Sequence, residues 1–285
     1  MTDTFLLVVS NDVGAIDADR LKLLRPYVTD LRRVGPKADG GYLVPARALE
    51  SADALLSVGI STDWAFESEF ATINPSARIV MYDRSSGVSG FVSSAIRQLS
   101  VRQFPWRRRL RLARKFMGHA VRFDREKRRY GFVFHRRWIV DDARDRRRER
   151  RLSDALSDIS KYEGIIVKID VEGSEYSLST QLHAWVKEHG EKCVALLIEF
   201  HEVGERLTDI EQFIDNMANR YRVVHLHVNN YGPISGVPGV LEITFCPLKW
   251  CSEDQRDILP ISGLDFPNNP DALDPIIRFA DNQLG

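Results

Sequence analysis

Asp170, Glu172 and Glu175 lie within six residues in IIVKIDVEGSEYS (165–177), where an apolar run gives way to a glycine-bearing turn. Five of the first six residues suit a buried strand, and Asp170 closes it. Continuous apolar runs mark parallel strands covered on both faces, and open α/β sheets bind ligands at the carboxyl ends of such strands. A cluster of carboxylates at that point reads as a site. The same acids also suit the first turn of a following helix, where negative charge is favourable without any chemistry. Spacing alone leaves both readings open.

A second constellation follows downstream. Glu199 and His201 share one face of CVALLIEFH (193–201), and His225, His227 and Asn229 share one face of YRVVHLHVNN. A buried glutamate needs a charged partner or a metal, because unpaired desolvation is costly. Asp170, Glu199 and His227 together form a hard-ligand set for a divalent cation such as Mg²⁺. His201 or His227 could instead act as a general base, since imidazole titrates near neutral pH. Each histidine taken singly also fits a hydrogen-bonded structural role.

Earlier in the chain, GISTDWAF (59–66) forms a turn where backbone N–H groups can approach a ligand at a helix N-terminus. It is not a GxGxxG fingerprint and has no phosphate-loop lysine. Asp83, at the end of ARIVMYD, is placed to accept hydrogen bonds from a ribose, although strand-end acids are also common solvated caps.

The elements that must position these residues alternate in α/β fashion. ALLSV (54–58) and ARIVMYD (77–83) read as strands joined by a helix over DWAFESEFA, a βαβ unit. A helix is expected at 17–31, broken or kinked near Pro26, followed by a short strand at Tyr42–Val44. FVFH and RWIVDD suggest a third strand region, and RLSDALSDI a helix before the strand that ends at Asp170. HAWVKEHG closes a helix, and LTDIEQFIDNMANR is another, amphipathic one. YRVVHLHVNN and VLEITFCP are joined by a loop too short for a crossover helix, so they form an antiparallel hairpin at one edge of the sheet. The proline-rich tail after Cys251 reads as an ordered loop against the body.

The net charge is zero, but residues 97–151 carry 19 arginines and 2 lysines against 6 acids. Such segregation gives one surface a positive potential that could draw polyanions or anionic lipid, or dock on an acidic face of this chain or a second subunit. Trp106, Leu110, Ala113, Met117 and Val121 fall on one helical stripe among the arginines, a basic amphipathic helix. Three scattered cysteines are too few for a disulfide framework; Cys246 and Cys251 could share a metal, but no second pair accompanies them. With no apolar run long enough to span a bilayer and no secretory segment, a cytoplasmic setting is expected, with peripheral membrane contact open.

KIDVEGSE (168–175), preceded by RLSDALSD and followed by LLIEFH, resembles the FkbM-like group of class I S-adenosylmethionine-dependent methyltransferases. DGGYLVP (39–45), SVGISTDWAFE (57–67), HVNNYG and VLEITF are similar to the same group of methyltransferase-like proteins, so the likeness spans most of residues 33–246 outside the arginine-rich stretch. The resemblance implies a Rossmann-like α/β domain: a mostly parallel sheet with an antiparallel C-terminal hairpin, helices on both faces, and an arginine-rich insertion at 97–151 of a single domain. It also implies S-adenosylmethionine over Gly59, with its ribose on Asp83, and Asp170, Glu172 and Glu175 on the acceptor side. Ser57 and a lone Gly59 stand where many relatives have an acid before a GxG-like loop, and Asp39 or Asp63 would then compensate. O-methylation of a sugar or small-molecule natural product is the activity implied, with Asp170, Glu199 and His227 near the acceptor and His201 as the reserve base. Methylation of RNA or another polyanion, or a non-catalytic binding role for the basic helix, are the alternatives.

Overall fold

A computed structural model describes residues 24–101, 103–235 and 237–279. The wholly buried runs ALLSV and IIVKI become adjacent parallel strands β3 (Ala54–Val58) and β8 (Ile165–Ile169) at the centre of the sheet. Side chains that bury both faces over their whole length can only belong to a strand covered on both sides. Beside β3 lie β4 (Arg78–Tyr82) and then β5 (Val133–His135); beside β8 lies β9 (Cys193–His201). The remaining two strands are β10 (Tyr221–Val228) and β13 (Val240–Pro247), with the small ribbon β11 (Ile234–Ser235) and β12 (Val237–Pro238) between them in sequence. The sheet order is β10-β13-β9-β8-β3-β4-β5, and only β13 runs against its neighbours. This is the expected Rossmann-like arrangement, mostly parallel with a C-terminal antiparallel hairpin. The reversed strand is second from the edge, inserted between β9 and β10, rather than outermost.

Helices cover both faces. On one side α5 (Leu152–Ile159), α6 (Glu175–His189) and α7 (Val203–Met217) pack on Leu56, Val80, Val167 and Ile198. On the other lie the hairpin β1 (Leu31–Val34)–β2 (Tyr42–Pro45), α1 (Ala46–Ser51), α2 (Ala65–Ile73), α3 (Gly87–Ser100) and α4 (Trp106–Tyr130), around Leu55, Met81, Ile166 and Leu197. The short strands β6 (Trp138–Val140) and β7 (Glu149–Arg151) pair apart from the main sheet, and the tail folds back as expected, with β14 (Ile258–Leu259) pairing β15 (Ile277–Arg278).

Three sequence expectations change. The helix at 17–31 lies outside the described residues up to 23, and from Leu24 onward it does not continue: Tyr27, beyond Pro26, bridges Gln255, and β1 starts at Leu31. The arginine-rich stretch is not all insertion, because it contains β5, the seventh strand of the central sheet. The strand expected at FVFH is this β5, half-buried at the edge of the sheet; what changes is that it belongs to the core sheet rather than to an insertion. Helix α4 buries Ala113, Ala120 and Phe123, whereas Trp106, Met117 and Val121 of the expected stripe are 66%, 45% and 58% exposed. The core-facing line is turned by about 70° from the expected one, less than one residue's step. Aromatic packing explains the choice: the Phe123 ring lies 5.0 Å from Trp64 and 6.1 Å from Phe91.

Candidate active site

The loops that follow β3, β4, β8 and β9 meet at the carboxyl edge of the sheet. Gly59 has φ +82°, and a side-chain carbon there would come within 1.5 Å of the Asp170 carbonyl oxygen. Only glycine permits so close a crossing of two backbones. The crossing is held by hydrogen bonds: the Asp170 N–H donates to the Val58 carbonyl and the Gly59 N–H to the Tyr82 carbonyl, each at 2.9 Å. Three non-glycine residues with left-handed backbones, Ser61, Glu172 and Glu202, sit in the loops after β3, β8 and β9. Such conformations gather where the surroundings impose them, often at functional sites.

A cleft of about 420 Å³ runs along this edge from Tyr82, Asp83 and Ser85 across Gly59 to Asp170 and Glu172, with Arg137 to Val140 as its other wall. Asp83 organises the near end: Oδ2 accepts from the Ser61 N–H at 2.8 Å, and Oδ1 from the Ser85 and Ser86 N–H groups and the Ser85 hydroxyl. Oδ1 thus takes three donors and Oδ2 one, which leaves Oδ2 a lone pair for a ribose hydroxyl. Of the expected cofactor residues, Gly59 and Asp83 line this cleft. Asp63 instead caps α2, accepting from the Ala65 N–H at 2.9 Å, and Asp39 accepts from Asn268 at 3.1 Å and Asn229 at 3.5 Å.

At the far end the structure brings Asp170, Glu172, Glu199 and His201 together. His201 Nδ1 lies 3.3 Å from Glu175 Oε1, which also accepts the His201 backbone N–H. Nε2 points to Glu172 Oε2 at 3.4 Å and Glu199 Oε1 at 3.6 Å. Burial alone would lower the His201 pKa, but the bond to Glu175 and the charges of Glu175, Glu199 and Asp170 outweigh it and hold the imidazole at about 9. Burial lifts Asp170 to about 6, opposed by the charges of Lys168 and His201. Glu199 rises further, through burial and then the neighbouring Asp170 and Glu242. Tyr42 donates to it at 3.1 Å and Asn229 at 3.0 Å.

His227 stands apart from this group. It pairs across the sheet with Glu242, which in turn pairs with Glu199, so two strand spacings, about 10 Å, separate His227 from Glu199. Its own partners are Asp274 at 3.0 Å and Glu242 at 3.7 Å, and His225 is bound by Asp265 at 2.9 Å. Both histidines therefore fasten the tail to the edge strand, and the expected ligand set of Asp170, Glu199 and His227 does not converge. Ligand atoms of Asp170, Glu172 and His201 do, all within 4.8 Å of one another.

Sequence reasoning missed Lys168. It is buried in the middle of β8, 3.8 Å from Glu67 Oε1 and 5.0 Å from the centre of the Tyr42 ring. Ser57 donates to the same Glu67 oxygen at 2.5 Å. Burial would depress the lysine's pKa, but Glu67, Asp170 and Glu199 reverse the shift and raise it. A cation thus lies under the acid cluster. The one sequence signal was a lysine inside an otherwise apolar strand, IIVKI.

No family model matches the chain, and no curated protein matches it. Among solved structures it is similar to the methyltransferase FkbM from Methylobacillus flagellatus KT, at 15% identity over 68% of this chain and 44% of that one, with a TM-score of 0.38. It is similar to an O-methyltransferase from Bacillus cereus in complex with SAH, at 13% identity over 70% of this chain and 76% of that one, TM-score 0.38. A third is a precorrin-6y C5,15-methyltransferase from Geobacter metallireducens GS-15, at 10% identity over 73% of this chain and 87% of that one, TM-score 0.35. The chain spans less than half the length of the Methylobacillus protein. Likeness at this level is a likeness of fold and identifies no substrate.

Proposed function

We propose that this chain is an S-adenosylmethionine-dependent methyltransferase acting on a hydroxyl of a carbohydrate or small-molecule natural product. The observation that supports this reading is one continuous cleft that runs from a strand-end acid over a glycine floor to Asp170 and Glu172, beside which His201 lies, in a seven-stranded sheet with a reversed penultimate strand. The residues fit such a cofactor: a Cβ at Gly59 would close the crossing under the cleft, and Asp83 ends the neighbouring strand with its carboxylate at the cleft wall. Gly59 would underlie the amino-acid part and Asp83 would hold the ribose hydroxyls. When bound, the cofactor supplies an electrophilic methyl group for in-line attack by the acceptor oxygen.

The chain's own part is alignment and proton removal. His201 Nε2 is the base in this reading, with Glu175 fixing the ring through Nδ1, a carboxylate–imidazole arrangement that sets which nitrogen faces the substrate. Asp170 and Glu172, which line the cleft, would accept hydrogen bonds from the acceptor's hydroxyl groups. A divalent cation is a second route to the same end, lowering the hydroxyl's pKa. The convergence of Asp170, Glu172 and His201 favours that position over the set containing His227.

Calorimetric titration with S-adenosylmethionine and S-adenosylhomocysteine, with and without Mg²⁺, tests the proposal. Micromolar binding is expected, weakened about tenfold or more by Asp83→Ala, through loss of a hydrogen bond to a charged group. Absence of heat and of thermal stabilisation by either compound would overturn it.

A further inference from the structure

We propose that the α3–α4 hairpin docks the protein on anionic lipid bilayers, with the mouth of the cleft turned toward the headgroups. The inference stands on a surface outside the cleft and is independent of the transfer chemistry proposed above.

The hairpin rises from the edge of the sheet that carries the site. Trp64, at the start of α2, lies at the carboxyl edge, and its indole N–H donates to Glu126 at 2.6 Å. Ser68, one turn along α2, donates to the same glutamate, and Tyr130 meets Thr72 near the far end of α2. Helix α4 therefore descends beside α2 over its second half. His119 is level with Trp64, their rings 6.2 Å apart, so the thirteen residues from Trp106 to Gly118 extend about 20 Å beyond the sheet edge. The five-residue connection 101–105 makes α3 climb antiparallel beside α4, with Phe91 5.6 Å from His119 at its base. That base adjoins Asp63 and the site: the Arg122 guanidinium lies 4.3 Å from the centre of the Trp64 ring.

The projecting part combines two features that a bilayer surface rewards together. From Arg84 to Phe123 the chain has ten basic residues and no acid. Amid this charge, Ile96, Leu99, Trp106, Met117 and Val121 are each more than 40% exposed. At the tip Arg108 sits over the Phe104 ring at 4.0 Å, holding cation and aromatic side by side. Basic residues near an anionic leaflet each strengthen binding about fivefold. Large apolar side chains sink into the headgroup boundary, where tryptophan is especially favoured. A nucleic acid would use the arginines but gain nothing from Ile96, Leu99, Met117 or Val121, and stacking on single strands calls for a series of exposed aromatics. Among the described residues no helix is long and apolar enough to cross a membrane, so the attachment is peripheral.

Vesicle flotation with the full chain tests this, using phosphatidylcholine alone and phosphatidylcholine mixed with phosphatidylserine. Binding is expected only to the mixed vesicles and should fall as salt is raised, because screening shortens the reach of surface charge to about 10 Å at 0.1 M. Arg107→Gln with Arg111→Gln should weaken it about 25-fold, and Leu99→Ser with Trp106→Ser about tenfold or more. All four side chains are exposed or half-buried, and circular dichroism together with cofactor titration checks that each variant is folded and its cleft intact. Failure of the folded protein to float with mixed vesicles would overturn the inference. So would vesicle binding indifferent to the Leu99/Trp106 pair and matched by equally tight binding to polyuridylate, which would mark a general polyanion surface.

Discussion

Glu175 Oε1 accepts the backbone N–H of His201 and lies 3.3 Å from the same residue's Nδ1, so one buried carboxylate fixes both the main chain and the ring of the histidine. With Glu175→Gln, burial, which lowers the imidazole's pKa, remains, as do the charges of Glu199 and Asp170, but the bond to Glu175 and its charge, which raise it, are lost. The His201 titration, followed by NMR of the ring protons, should move down from about 9. The sign for stability follows from the raised value. The contribution of His201 is fully present below its unfolded pKa near ~6.5, and is lost as pH rises through about 9. Wild type should thus lose a pH-dependent increment between those limits that the variant lacks. An unchanged midpoint in the variant would deny Glu175 this role.

The pH dependence of the transfer rate separates two proton acceptors. If His201 must be neutral, kcat/KM should climb with pH to a limb near 9. A limb near 6 would instead assign proton removal to Asp170, whose carboxyl burial holds at about that value. His201→Gln should slow transfer by about 10²–10⁴ in the first case, and chelation of divalent ions should leave the profile unchanged unless a cation shares the site.

Gly59→Ala should destabilise the fold by about 3 kcal/mol or more, combining a left-handed backbone with a collision against the Asp170 carbonyl. Thermal or urea unfolding measures it directly. A loss below about 1 kcal/mol would mean that the two loops can separate at little cost.

Lys168→Met should cost about 3 kcal/mol, because it leaves the Glu67 carboxylate buried without its cation. Adding Glu67→Gln should recover a good part of that loss, and the double-mutant cycle in urea gives the coupling. Additive losses would show that the pair contributes through packing alone.

Asp274→Asn removes the nearest partner of His227, whose imidazole is held at about 10 by Asp274 and Glu242 against the lowering effect of burial. Stability from this pair is present below about 6.5 and lost as pH rises through about 10. The variant should unfold more easily at neutral pH and differ least from wild type above that range, by thermal scans across pH. Faster proteolysis within residues 260–279 would place the loss in the tail.

The strands were legible where burial is unbroken. β3 and β9 begin and end where ALLSV and CVALLIEFH do, because a two-sided core demands continuous apolar side chains. The gathering of Asp170, Glu199 and His201 was legible, because polar residues stand there at the ends of apolar strands. The site was not legible where a side chain's partner is remote in sequence. Nothing near His227 announces Asp274, 47 residues on, and nothing near Lys168 announces Glu67. The face of α4 was misjudged for the same reason, since Phe123 is selected by Trp64 and Phe91 rather than by its own helix.

The crossing of Gly59 and Asp170 has a further consequence for how such a chain can diversify. The floors under the two ends of the cleft are one stitched piece of backbone, linked in series from Tyr82 through Gly59 and Val58 to Asp170. Neither half can be reshaped without the other. The β1–β2 hairpin, the loop carrying Glu172, the α3–α4 arm and the tail carrying Asp265 and Asp274 are free of that bond. In the proposed reading a change of acceptor would therefore fall on the rim, around an unchanged base.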